Sequence, residues 1–468
     1  MRRIMNLNGY GYNENQAFIT VDAQKGTEYE KFGTVSIDNP LTIESFYNNA
    51  GKEVTINVLA LPKKNKDDGG GVKETRVVCT YNVTSTGSSK ICSATTNFAS
   101  MEVDGTEVDV KKYYTFTTTG EHTVKFTLKD NTTISDKAFY QCTGLTSVVI
   151  PNSVTSIGSQ AFQNCSKLTS VTIGSGVTTI GDSTFYNCTS LTSVTIGSGV
   201  TSIGNYAFQY CTILTSVTIP DSVTSIGNCA FNGCKNLTSV VIPDSVTNIG
   251  FSVFNGCAGL TSVTIGSGVT SIDYNAFYNC TGLTSVVIPS GVTTIGSDAF
   301  YNTPWYKSYS ANTANQYGNI VYINNVAYQA TSTGITSCEF KEGTVSIGGA
   351  AFSGCTSLTS VVIPDSVTNI GDSAFNGCYK LTVDIPNSVT NIGDSAFFNC
   401  YSLTSVTIGS GVTSIEGQAF YNCTKLTSIT YKDTVTQWKA ITRGNNWHKN
   451  VPTTTVTCSD GSCGLDDK

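Results

Sequence analysis

Phenylalanine recurs every 23 residues at Phe139, Phe162, Phe185, Phe208, Phe231, Phe254, Phe277 and Phe300, and resumes after an interruption at Phe352, Phe375, Phe397 and Phe420. A unit of this length cannot bury its own apolar side chains. A strict period therefore implies short coils stacked into a solenoid, with each coil covering its neighbours. The register slips once, between Phe375 and Phe397, where Leu381-Thr382-Val383-Asp384-Ile385 is one residue shorter than its counterparts.

The unit from Leu191 to Cys211 shows how one coil is read. Val194 and Ile196 alternate as a strand requires, with Leu191 entering the core just before them. Gly197-Ser198-Gly199 turns the chain, as Pro220-Asp221-Ser222 does one coil later, because Gly tolerates positive φ and Pro fixes its own. A second short extended piece sends Val200 and Ile203 inward. Gly204 makes the next corner, and a helical turn is expected to bury Ala207, Phe208 and Cys211. Twelve such coils at the inter-strand spacing of roughly 4.8 Å would make a rod of roughly 55–60 Å. The fold expected is mainly β with short helical turns.

A stack exposes a core at each end, so both ends need covers. Upstream, Val35-Ser36-Ile37, Val54-Thr55-Ile56-Asn57-Val58 and Tyr113 to Leu128 alternate as half-buried strands, and the last of these resembles the closing strands of an immunoglobulin-like sandwich. Asp67-Asp68-Gly69-Gly70-Gly71 is linker-like. Downstream, Trp438 and Trp447 fall where the terminal coil would expose its core. The interruption carries Pro304-Trp305-Tyr306, then two alternating strands about Asn324-Asn325, which predicts a β-hairpin projecting from one edge of the rod. The boundaries expected are a β-rich module over 1–68, an immunoglobulin-like domain over 73–130, the solenoid over 131–430 with its insertion at 301–340, and a cap and tail over 431–468.

Charged residues make up 13% of the chain and the formal net charge is −6, which argues against nucleic acid or anionic lipid as a partner. The basic start, Met1-Arg2-Arg3, is not followed by the apolar run of a signal peptide, and no stretch approaches the roughly 20 apolar residues that span a bilayer. Only His122 and His448 are histidines, neither beside a nucleophile motif, and no zinc or phosphate-loop pattern is present. An enzyme, a cofactor and a metal site are not expected.

Cysteine follows three residues behind Phe in every unit but one, where Thr303 replaces it. Reduced thiols packed as small apolar side chains are the expected state of this column. Cys79 with Cys92, and Cys458 with Cys463, are either local disulfides or free thiols. Asp182, Asp372 and Asp394, each just after a corner glycine, suit helix N-capping. Threonine columns (Thr172, Thr195, Thr218 and Thr264; Thr201, Thr224 and Thr270) resemble the arrays of ice-binding solenoids, and ordinary β-propensity also accounts for them.

The segment Ile219-Pro220-Asp221-Ser222-Val223-Thr224-Ser225-Ile226-Gly227-Asn228-Cys229-Ala230-Phe231-Asn232-Gly233-Cys234 and its copies resemble the BspA-like, Treponema-type leucine-rich repeat over about residues 131–430. The resemblance implies a surface-associated adhesin that binds a protein or glycan on a cell surface. Proteins of this family commonly carry an export signal, and none is visible here, which leaves a phage virion protein as the alternative. The residue after each core Phe varies while its neighbours barely change. Tyr140, Tyr186, Tyr278, Tyr301, Phe398 and Tyr421 stand there, and with Trp305 and Tyr306 of the insertion they are the candidate contacts. On a helical turn such a residue would point roughly 100° from the buried ring and be partly exposed.

Overall fold

A computed structural model describes residues 76–130 and 132–467 in full and, before them, the backbone of four short strands, Ile19–Val21, Phe46–Tyr47, Glu53–Val54 and Ile56–Val58. The chain forms two compact units, Met1–Lys73 and Glu74–Lys468. In the first, Ile19–Val21 pairs antiparallel with Ile56–Val58, and Phe46–Tyr47 with Glu53–Val54. The strand expected at Val35 to Ile37 and the linker at Asp67 to Gly71 lie outside the described residues.

In the second unit, identical positions of successive coils lie side by side. Ser193–Thr195 pairs in parallel with the strand before it and the strand after it, Val171, Val194 and Val217 facing one another in register. The second strand, Ser202–Ile203, does the same with Thr179–Ile180 and Ser225–Ile226. Core rings stack along the rod, with Phe185, Phe208, Phe231, Phe254, Phe277 and Phe300 at centroid spacings of 5.2–5.5 Å and nearly parallel planes.

The third side of the coil is not the helical turn expected. Ala138, Tyr140 and Cys142 donate their N–H groups within the coil to Ser135, Lys137 and Phe139, while Lys137, Phe139 and Gln141 donate to Ser159, Ala161 and Gln163 of the next coil. The result is a ribbon of β-turns that forms a third ladder along the rod. The first and third of these turns have positive φ at their third residue, as type II turns do: Lys137 and Gln141, two before and two after the ring, have φ of +56° and +57°. The second of these positions is Asn or Gly in most coils, for example Asn164, Asn187, Gly233 and Gly256. Those are the residues that reach the left-handed region most readily.

Two readings of local chemistry change with this geometry. The corner aspartates cap no helix. Asp182 Oδ1 accepts the N–H of Asn205, one coil on, at 2.7 Å, and Asp372 Oδ1 that of Asp394 at 2.9 Å, so the column is a side-chain rail between coils. The Gly-Ser-Gly corners are not positive-φ turns either. A Cβ at Gly176 would lie 1.9 Å from the Asn152 carbonyl oxygen, so close stacking rather than backbone freedom requires glycine there. The threonine hydroxyls of the second column are likewise turned to internal use. Thr201, Thr224 and Thr270 each donate to a carbonyl one coil back, at 3.1–3.3 Å.

The cysteine column owes its place to the same ladder. Nine of the twelve Phe carbonyls accept one bond from the N–H three residues on and a second from the thiol of the following coil, as with Cys188 Sγ at 3.2 Å from Phe162 O and Cys211 Sγ at 3.2 Å from Phe185 O. Where cysteine is absent, Thr303 Oγ1 donates to Phe300 O at 2.8 Å. All seventeen cysteines are free thiols, Cys79, Cys92, Cys458 and Cys463 included, and all but Cys338 and Cys463 are buried. Burial pushes Cys165 and Cys211 up to about 12, so the reactive thiolate is scarce at neutral pH. Iodoacetamide at pH 8 should therefore leave the column unmodified in the native protein and alkylate it fully in denaturant, as mass spectrometry would read. Added reductant should not move the thermal transition, and a fall of many degrees would mean that disulfides hold the coils together.

At the amino end, Val77–Val83, Phe98–Val103, Thr106–Val108 and Gly120–Leu128 form an antiparallel sheet whose strand Val77–Val83 also pairs with Leu145–Ile150 of the first coil. The sheet thus runs on into the solenoid. Phe98 and Phe126 lie at 5.5 and 5.3 Å from Phe139 and close the ring stack. Ser93 N and the Lys90 ammonium donate to Ala138 O and Tyr140 O, the ribbon carbonyls that a preceding coil would otherwise satisfy. A second, two-stranded sheet joins Gly87–Lys90 to Tyr113–Phe116.

Within this cap His122 Nδ1 lies 2.7 Å from Asp104 Oδ2 and its Nε2 lies 3.1 Å from the Thr118 carbonyl oxygen, so both ring nitrogens face acceptors. The hydrogen bond to Asp104 holds the imidazole above its ordinary value. A folded pKa above the unfolded one gives stability that is complete below about pH 6.5 and lost as pH rises through the folded value. The thermal transition of the native protein should accordingly fall between pH 6 and 8.5 more than that of His122→Gln. Equal slopes would remove the pair from the pH response.

The interruption does not project from the rod. Helix α1 (Pro304–Ala311), N-capped by the Thr303 side chain, lays Trp305 on Phe300 at 4.7 Å. The hairpin Ile320–Ile323 with Val326–Ala330 then enters the stack, and its second strand pairs in parallel with Ser346–Ile347. All four residues of Ile320–Ile323 are buried. The hairpin stands between two apolar clusters, Ile323, Val326 and Tyr328 facing the first eight coils and Ile320, Tyr322 and Ala327 the later ones. Repeat geometry resumes at Ile335 rather than after Phe340, since Thr359 N–H donates to Thr336 O as in regular coils. Cys338, Phe340 and Thr344 occupy places held elsewhere by Val, Ile and Val.

The carboxyl cap is a degenerate further coil. Thr442–Arg443 continues the second-strand sheet, Asn446 and Asn450 supply the two left-handed residues, and Phe420 N–H donates to Trp447 O. Trp447 meets Phe420 at 6.2 Å, and Trp438, on helix α2 (Val435–Ala440), seals the end against Tyr431 at 5.5 Å and Trp447 at 5.9 Å. The Arg443 guanidinium covers Trp438 at 4.7 Å. A final hairpin, Thr455–Cys458 with Gly461–Gly464, ends the first-strand sheet.

Candidate recognition surface

The side chains free to meet a partner are those the ladders leave outside. Two such columns run along one margin of the ribbon: the residue after the core Phe, and the left-handed residue after that. On a turn ribbon the first does not swing away as on a helix; it lies along the rod against its neighbours. Tyr140, Tyr186, Tyr278, Phe398 and Tyr421 are therefore half-buried, and of the six expected in this column only Tyr301 is exposed. Tyr278 stacks on Tyr301 at 5.0 Å, and Phe398 on Tyr421 at 5.1 Å. Tyr140 and Tyr421 are further covered by the ammonium groups of Lys90 and Lys449.

Trp305 and Tyr306 serve the insertion. Trp305 packs between Phe300 and Tyr309, and Tyr306 sits edge-on to Tyr328 at 5.2 Å with its hydroxyl donating to Gln329 at 2.6 Å. Both are half-buried, and burial raises the Tyr306 hydroxyl above its ordinary value.

Other aromatics are more exposed. Tyr210 occupies a left-handed position, 42% exposed, edge-on to Tyr186 at 5.7 Å; its ring lies over Gly233 of the next coil, where an added Cβ would come within 2.6 Å of it. On the opposite margin of the ribbon stand Tyr206, also 42% exposed, and the stacked pair Phe251 and Tyr274 at 5.5 Å. The signal for these in the sequence is an aromatic residue interrupting columns of Asn, Asp, Ser and Gly. A search confined to the position after Phe passes over it.

Coils three to eight thus carry a continuous strip: Tyr186 and Tyr210 at one end, Tyr278 and Tyr301 at the other, and between them Asn232-Gly233 and Asn255-Gly256. At Gly256 an added Cβ would meet nothing nearer than Gly233 Cα at 4.0 Å, so this stretch is a shallow, open floor. Among the described residues no group of three His, Cys, Asp or Glu is placed to hold a metal ion, and no helix is long and apolar enough to cross a membrane.

The BspA type leucine-rich repeat region matches the sequence over residues 111–215, 201–325 and 321–442, more than half of the chain. The chain belongs to this family. Solved structures similar to this BspA-type protein include a leucine-rich repeat protein from Bacteroides ovatus, 28% identical, covering 72% of this chain and 82% of that one with a TM-score of 0.40. A leucine rich cell surface protein from Faecalibacterium prausnitzii is 33% identical over 68% of this chain and 86% of its own, with a TM-score of 0.32. The leucine rich repeat protein of T. pallidum is 28% identical over 38% of this chain and 85% of its own, with a TM-score of 0.34. No curated protein matches the sequence.

Proposed function

We propose that this BspA-type protein is a non-enzymatic recognition protein that acts at a surface, its solenoid presenting the exposed aromatic residues on both margins of the turn ribbon to a protein or glycan on a cell. What carries the reading is the exposure of Tyr206, Tyr210, Tyr274 and Tyr301 on a ribbon whose backbone is fixed on both sides by inter-coil hydrogen bonds. Rigid aromatic side chains on a rigid frame lose little entropy on binding. The same face would serve on a cell or on a virion. We propose in addition that residues 73–130 form an immunoglobulin-like domain that serves first as the amino-terminal cover of the stack.

The test is adhesion of the fluorescently labelled full chain to cells of a gut bacterial and epithelial panel, read by flow cytometry. The variant carrying Ser at positions 206, 210, 274 and 301 should lose at least tenfold in bound signal while its thermal transition holds. Full binding by that variant would move the function to another face.

A further inference from the structure

The chemistry of the strip narrows the ligand, on the premise that the strip is the recognition surface. We propose that the strip from Tyr186 to Tyr301 binds a neutral, extended β-1,4-linked polysaccharide lying along the rod axis.

Charge is the first argument. Across six coils the two outward ribbon columns contain only Tyr, Asn, Gln and Gly, with no Lys, Arg, Asp or Glu. A surface without charge offers nothing to offset the desolvation of a charged partner, whereas hydroxyl-rich uncharged chains match its amides and phenols.

Shape is the second. The strip is one or two side chains wide and, at one coil per rung, roughly 25 Å long. A stable protein partner needs about 800 Å² from each side, several times what such a strip offers. A linear chain needs only a track. Sugars in a β-1,4-linked chain present flat C–H faces, which suit the exposed rings of Tyr210 and Tyr301, and an equatorial ring of hydroxyls, which suits the amide of Asn232 and the remaining amide atoms of Asn255 and Asn279, whose partners within the ribbon are Ser252 and Asn302.

The third argument is the repeat. Successive core rings advance 5.2–5.5 Å per coil, comparable to the advance per sugar in such a chain, so one coil can serve one sugar. Between the aromatic pairs, Gly233 and Gly256 hold φ of +73° and +70° and leave the track unobstructed at Gly256.

Isothermal titration of the full chain with cellohexaose, with chitohexaose and with an anionic galacturonate hexamer tests this. At least one neutral hexamer should bind, with an affinity unchanged between 50 and 500 mM salt, and the anionic hexamer should not. Tyr210→Ala and Tyr301→Ala should each weaken binding tenfold or more. Silence of both neutral hexamers, or binding indifferent to these substitutions, overturns the proposal. If adhesion is lost in the four-serine variant while neither hexamer binds, the recognition reading stands and the glycan falls. If a neutral hexamer binds as described while that variant still adheres, the glycan track stands and cell recognition lies elsewhere.

Discussion

Phe231→Ala is expected to cost about 3–5 kcal/mol, toward the upper end of that range, measured by urea unfolding followed by circular dichroism. The ring is fully buried between Phe208 at 5.3 Å and Phe254 at 5.5 Å, with planes within 4° of parallel. How much such a deletion costs depends on how far the surroundings can close over the gap. Here they can close very little. Phe231 N–H is bonded to Val253 O at 2.9 Å and its carbonyl accepts the Cys257 thiol at 3.2 Å, so coil spacing is pinned by bonds that do not involve the ring. The cavity stays open and its lining loses contact. A loss below about 1 kcal/mol would mean that the stack relaxes along its axis and that the ladders are softer than their geometry implies.

Trp438→Ala should be comparably damaging, about 3–5 kcal/mol, but its effect should be local to one end. Trp438 is fully buried, and its removal uncovers Trp447 and Tyr431, beyond which lies the ring column of the later coils. Arg443, which now rests on the indole face, would be left over a void. Because each coil touches only its neighbours, fraying should start at the open end and move inward as far as the inserted hairpin. Hydrogen exchange should show protection falling first over about 400–447 while the coils from 131 to 300 keep theirs. Uniform loss along the chain would mean that the hairpin transmits unfolding from one apolar cluster to the other.

What made the solenoid legible was repetition. The Phe column, the two strands, the buried thiols and the tryptophan cap all follow from asking which side chains recur at 23 residues and which of those are apolar. Repetition says less about backbone conformation. Ala207-Phe208 flanked by polar residues reads equally as a helical turn and as a turn ribbon, and the deciding evidence, Asn or Gly two residues after the ring, is visible only to a reading that asks where left-handed residues must stand. The corner glycines misled in the opposite sense. A Gly-Ser-Gly corner reads as a positive-φ turn, whereas Gly176 is required by the Asn152 carbonyl of the adjoining coil, a contact between residues 24 positions apart.

The insertion was read as a projection because Ile320 to Tyr328 alternates like a free hairpin. Burial on both faces becomes apparent only once the coils on either side are in place. The coil beginning at Ile335 was missed because three of its core positions are filled by Cys338, Phe340 and Thr344, and Thr344 is buried as a hydroxyl hydrogen-bonded to Lys341 O at 2.5 Å. Of the candidate surface, the column after Phe is legible in the sequence, but a helical turn would expose it more than the ribbon does. Tyr206, Tyr210, Phe251 and Tyr274 went unnoticed because they break a column instead of making one.

The segment Leu191 to Ile203 recurs letter for letter as Leu260 to Ile272 and as Leu403 to Ile415. Since the ladders bond each coil to whichever coil adjoins it, a coil duplicated or deleted in frame would find every partner it needs, and the caps would never register the change. Genes with such near-identical stretches recombine unequally. The length of the exposed track is therefore a heritable quantity that can change by one rung in a single event, leaving fold, ends and chemistry intact. A lineage carrying this protein can lengthen or shorten its solenoid without altering a contact inside any coil.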